Sequence, residues 1–131
     1  MKWNLTQWYD ATTGAPVTDM SHAGKSVTEW FPNGAIGDFL SMTPVWPATG
    51  LPVGALTLEQ TNEETPVVAT VPDEVGLSEY YSTAFPEPNP DGSAGRKPVL
   101  LRVAGAFQRW AYARTSGGTG ANCVVYCAEG K

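Results

Sequence analysis

The chain is poor in the residues that most chemistry needs. It has one histidine, His22, and two cysteines, Cys123 and Cys127, which leaves little for metal binding or nucleophilic catalysis. Charged residues fill 16% of its 131 positions, against roughly 25% in an ordinary domain. Between Lys25 and Arg96 there is no basic residue, while Glu59, Glu63, Glu64, Asp73, Glu74, Glu79, Glu87 and Asp91 crowd that interval. A net charge of -5 argues against nucleic acid as a partner, because phosphate binding needs clustered Lys and Arg. No run approaches the roughly 20 apolar residues of a membrane-spanning helix, and the first residues, MKWNLTQWYDATTG, carry no apolar leader core. A soluble protein made inside a cell, with no membrane partner, is expected. A sustained helical period is also missing, which makes all-β the leading class.

Turn formers and aromatics are abundant instead: eleven prolines, fourteen glycines and five tryptophans. They suit short strands, many turns and large aromatic plugs. The length fits one domain over residues 1–131, able to bury about two-thirds of the surface its unfolded form exposes. The predicted fold is a single-domain antiparallel β-sandwich, jelly-roll-like.

Residues 97–131 read as the organising stretch, three apolar runs separated by Gly-rich breaks. Along 107–115 the pattern alternates, with Gln108, Trp110, Tyr112 and Arg114 on one face and Phe107, Arg109, Ala111, Ala113 and Thr115 on the other. Ser116-Gly117-Gly118-Thr119-Gly120 tolerates the positive φ of a hairpin reversal, and 122–128 is expected to return as the partner strand. In a strand rising about 3.3 Å per residue, Cys123 and Cys127 lie roughly 13 Å apart, beyond the ~7 Å reach of a disulfide. Two free thiols on one strand face suit a reducing cytosol, and C-x3-C with one distant histidine is too poor a set for zinc.

Earlier in the chain, residues 2–9 alternate and serve either as a first strand or as an arm reaching a neighbour. Residues 1–10 are thus a possible N-terminal arm, with Trp3, Trp8 and Tyr9 as its contact residues. Asn33-Gly34 between apolar runs predicts a hairpin joining 26–31 to 35–42. Residues 53–61 form a strand with Leu56 and Leu58 on one face. Residues 66–71, bracketed by Pro66 and Pro72, read as an edge strand, and 77–85 as strand or loop. Residues 86–98, PEPNPDGSAGRKP, read as a surface loop. Residues 39–60 and 107–128 echo each other as aromatic strand, turn and strand, and two such hairpins facing each other would form the layers of a sandwich.

No catalytic constellation stands out, and no catalytic residue, cofactor or metal is assigned. Asp19-Met20-Ser21-His22 places three triad residue types together, but triads draw on separate segments, so a polar loop is expected. Glu63-Glu64 and Asp73-Glu74 read as solvated carboxylates rather than a glycosidase pair. Asn89-Pro90-Asp91-Gly92 lacks the later ligands of a calcium loop, and Gly117-Gly118-Thr119-Gly120 lacks the lysine and helix of a phosphate loop. Trp3, Trp8, Trp30, Trp46 and Trp110 divide among core plugs, subunit contacts and a sugar-stacking platform. The acidic middle and the basic group Arg96, Lys97, Arg102, Arg109 and Arg114 suit either a solvated face with internal ion pairs or a head-to-tail contact between identical subunits.

The segment FQRWAYARTSGG, Phe107 to Gly118, resembles a phrase of small virion structural proteins of tailed bacteriophages, in which an aromatic/Arg strand leads into Arg-Thr-Ser-Gly, a short strand and a terminal Gly-Lys. The chain's own ending is Glu129-Gly130-Lys131. Upstream, TGLPVGALTLEQTN resembles the companion phrase, but Thr61-Asn62-Glu63-Glu64 replaces its Ser-Asn-Asp ending. Discoidin-like sugar-binding sandwiches share part of this rhythm. The resemblance implies a β-sandwich or jelly roll that decorates or cements a capsid, or sits in a neck or tail. Its partners would be capsid or other virion proteins, its assembly a homo-oligomer with a trimer favoured, and its location the virion after synthesis in the host cytoplasm. The alternative is a carbohydrate-binding module for host attachment, which would expose coplanar rings beside polar side chains.

Overall fold

The structure, a computed structural model, describes residues 2–33, 37–46, 52–81, 95–96, 99–119 and 123–130. Two antiparallel sheets pack face to face, and the described residues contain no helix. One sheet has five strands: β1 (Lys2–Leu5), β6 (Phe39–Trp46), β9 (Gly95–Arg96), β10 (Val99–Arg102) and β12 (Val124–Gly130), in the order β1-β12-β6-β10 with β9 also on β6. The other has seven: β2 (Trp8–Asp10), β3 (Pro16–Val17), β4 (Lys25–Val27), β5 (Phe31–Pro32), β7 (Pro52–Thr61), β8 (Glu74–Tyr81) and β11 (Phe107–Gly117). Their order is β3-β2-β4-β11-β7-β8, with β5 also on β11. The all-β sandwich expected from the sequence is therefore the fold.

Period-two alternation decides which side chains fill the space between the sheets. Leu40 and Met42 of β6 and Val125 and Cys127 of β12 point in from one layer. Leu56 and Leu58 of β7 and Trp110 and Tyr112 of β11 meet them from the other. The Trp110 indole N–H reaches across to Met42 Sδ. At Gly54 the backbone of β7 passes so close to β11 that a Cβ would lie 2.7 Å from Tyr112 Oη, so only glycine fits there.

The connections differ from the sequence expectation. β11 and β12 do not form a hairpin: β11 pairs with β7, and β12 pairs with β6 in the opposite sheet. Gly117 and Gly118, at φ 70° and 90°, end β11 where the chain leaves its sheet. The two echoing units are thus arches, each giving one strand to each layer, and they interlock as β6 with β12 and β7 with β11. A local turn signal cannot separate these cases, because turning residues serve a hairpin and a layer change equally well.

Asn33 behaves the same way. Residues 34–36 lie outside the described set, but β5 and β6 belong to different sheets, so no hairpin joins them. The amide of Asn33 instead donates to Gly105 O at 2.6 Å, and Gln60 Oε1 accepts the N–H groups of Ala104 and Gly105 at 2.9 and 3.0 Å. These bonds satisfy the turn by which the chain passes from β10 to β11 across the layers.

Residues 66–71 are not a strand. Thr70 Oγ1 accepts the Val67 N–H at 2.9 Å while Thr70 N donates to Val67 O at 3.0 Å, closing a turn. Residues 77–81 belong to β8. The 86–98 loop lies outside the described residues except for Gly95–Arg96, which pairs with β6. The possible arm over residues 1–10 is woven into the body of the fold: β1 pairs with β12 in one sheet and β2 with β3 and β4 in the other.

Candidate functional site

The three triad types do not converge. His22 Nε2 meets Asp10 Oδ2 at 2.6 Å, whereas the Ser21 hydroxyl donates to Asp19 Oδ1 instead of facing the imidazole. Asp10 Oδ1 also accepts the N–H groups of Thr13 and Thr12, each at 2.8 Å. Led by the Thr13 N–H, these bonds hold its pKa down at about 2. The arrangement fastens a loop. Asp73 likewise uses Oδ2 to accept the Asn62 N–H at 2.8 Å and the Thr61 hydroxyl at 3.2 Å. Glu63 and Glu64 are exposed, and no three His, Cys, Asp or Glu side chains come together among the described residues. Asn89 to Gly92 lies outside them.

Of the three sequence-predicted contact residues, Trp8 is 1% exposed and belongs to the chain's own core, so its ring offers nothing to a neighbour. Trp3 pairs in register with Cys127, its side chain lying outside the described set. Tyr9 stands on the outer face of the seven-stranded sheet, half-buried, its hydroxyl donating to Glu29 Oε1 at 2.9 Å.

That outer face holds an extended polar arrangement. Arg109 and Glu59 are directly opposite on β11 and β7, both nearly buried, with Arg109 Nε donating to Glu59 Oε1 at 2.7 Å. Lys25 Nζ donates to the second carboxylate oxygen at 2.8 Å. The guanidinium also donates to Val68 O at 2.8 Å and packs on the Trp30 ring at 4.3 Å. Trp30 is fixed in turn, its indole N–H donating to Val67 O at 2.9 Å. An open groove of about 450 Å³ runs along this cover, lined by Tyr9, Gly14, Thr28, Glu29, Trp30, Pro66, Val67 and Val68. The alternation along 107–115 assigns Arg109 to a strand face, but nothing in the sequence signals its pairing with Glu59, which depends on the β7–β11 register.

The outer face of the five-stranded sheet is of a different kind. Its outward positions carry Lys2 and Asn4 on β1; Val124, Tyr126 and Ala128 on β12; Phe39, Ser41, Thr43 and Val45 on β6; and Leu100 and Arg102 on β10. Phe39, Leu100 and Tyr126 are 37%, 66% and 41% exposed, large for apolar and aromatic groups on one sheet. The Arg102 guanidinium covers Phe39 at 5.1 Å from the ring centre. No carboxylate occupies any of these positions among the described residues, whereas Glu29, Glu63, Glu64, Asp73 and Glu74 all belong to the seven-stranded side.

Compared with known proteins, the chain matches no protein-family model, no curated protein and no solved structure.

Proposed function

We propose that this chain is a structural subunit acting through protein contacts, and that its place is the virion of a tailed bacteriophage as a capsid decoration or cement-like protein. The observation that carries the contact reading is the outer face of the five-stranded sheet. Exposed Phe39, Leu100 and Tyr126 stand there, and among the described side chains at its outward positions Lys2 and Arg102 are charged and none is a carboxylate. Exposed apolar and aromatic side chains with few charges around them suit a protein interface, in which a few large anchors supply most of the affinity. The phage assignment rests on the resemblance of the strand phrases at Phe107 to Gly118 and Thr49 to Asn62. A neck or tail subunit would use the same face.

In this reading the protein assembles as a homo-oligomer, a trimer, and repeated subunits multiply modest contacts to capsid or other virion proteins through avidity. Light scattering and co-sedimentation with phage particles test it. Replacing Leu100, 66% exposed, by lysine should weaken particle binding or oligomerisation at least tenfold with little change in melting temperature. Unchanged assembly and unchanged particle binding in that variant would rule the face out.

A further inference from the structure

We infer that the groove beside Trp30 is a binding site for a neutral saccharide. This is independent of the contact role given to the opposite sheet. The ring is held in place before any ligand arrives: its N–H is bonded to Val67 O at 2.9 Å, and the buried Arg109 guanidinium packs on it at 4.3 Å. An aromatic ring immobilised in this way loses little conformational freedom when a sugar stacks on it. Beside it, the exposed Glu29 accepts the Tyr9 hydroxyl through Oε1 at 2.9 Å, and both residues line the groove. With its proton given to Glu29, the phenol oxygen joins the carboxylate as an acceptor, and two neighbouring acceptors suit the donating hydroxyl groups of a polyol.

The charge balance selects a neutral ligand. Lys25 and Arg109 contribute two positive charges, Glu59 and Glu29 two negative ones, so the groove and the layer beneath it carry no net charge. A cation would also meet a ring that already bears a guanidinium, and an anion would meet Glu29 at the mouth. A polyol with an apolar C–H face meets neither penalty. The volume of about 450 Å³ falls within the roughly 300–1,000 Å³ usual for small-ligand sites.

Amide and indole resonances of the labelled protein, titrated separately with maltotriose, cellotriose, chitotriose and tetramethylammonium chloride, test this. At 10 mM, one of the three sugars should shift the Trp30 indole N–H and the Glu29, Val67 and Val68 amides in a saturable way. Trp30→Ala should weaken that binding at least tenfold. Glu29→Gln, at an exposed position, should weaken it severalfold with the melting temperature unchanged, which keeps the test valid if the Trp30 variant folds poorly. The inference is overturned if none of the sugars moves these resonances, if tetramethylammonium alone does, or if sugar binding survives the Glu29 substitution undiminished.

Discussion

The indole N–H of Trp8 donates to the carbonyl of Cys123 at 2.8 Å, joining β2 of one sheet to the residue that leads into β12 of the other. The bond is buried and spans 115 positions, so the N-terminal segment is part of what holds the layers together. Trp8→Phe keeps most of the apolar volume but leaves the Cys123 carbonyl without that donor, and should cost about 1–3 kcal/mol. Trp8→Ala should cost roughly 3–5 kcal/mol. Deleting residues 2–9 removes β1 as well and should leave no cooperative unfolding transition in urea. A truncated protein that melts like the full chain would contradict this role.

The Arg109–Glu59 pair should behave as a buried ion pair does. Glu59→Leu strands a buried guanidinium and is expected to lose about 3–5 kcal/mol. Combining it with Arg109→Met should restore much of that loss, because the costly state is one charge without its partner. Lys25 is 43% exposed at its side chain, and Lys25→Ala should cost less than about 1 kcal/mol. Urea midpoints of the four proteins check the order.

The thiols should be inert until the protein unfolds. Burial pushes both upward in pKa, Cys127 to about 12 and Cys123 further. Iodoacetamide at pH 8 should therefore add no label to the native protein and two to the unfolded protein. The sign for stability follows from the same shift. The folded state favours the protonated thiol, so its contribution is complete below the ordinary value of 9.0 and declines as pH rises from there towards about 12. Thermal melts across that interval should fall, and Cys127→Ala should reduce the slope.

Asp10 gives the opposite dependence. Its pKa lies at about 2 in the folded protein against an ordinary 3.8, so its contribution is present above pH 4 and fades as pH drops through that interval. Asp10→Asn should flatten the melting temperature between pH 4 and 2, and an unchanged acid limb would show that other carboxylates govern it.

The sequence made the fold class and the burial faces legible because both are periodic. Trp110 and Tyr112, Leu56 and Leu58, and Cys123 and Cys127 all lie on the faces that alternation assigns. It could not show which strand lies beside which. Ser116 to Gly120 and Asn33-Gly34 are good reversals, but the competing partners β7 and β6 are far away in the chain. The groove was illegible for the same reason: Trp30, Arg109 and Val67 come from three distant segments and meet only through register. Tyr9, a contact residue of the N-terminal segment on the sequence pattern, lies on this groove.

The interlocked arches also govern when the molecule can exist. Leu5 of β1 must wait for Val125, made 120 residues later, before it has a pairing neighbour. At a synthesis rate of about 5–20 residues per second, that wait is on the order of ten seconds. The central pairing of the five-stranded sheet, β6 with β12, waits for the same late strand. A copy not yet translated through β12 therefore cannot display Tyr126 beside Ser41 and Thr43, and the outer face of the five-stranded sheet exists only once that strand has been made.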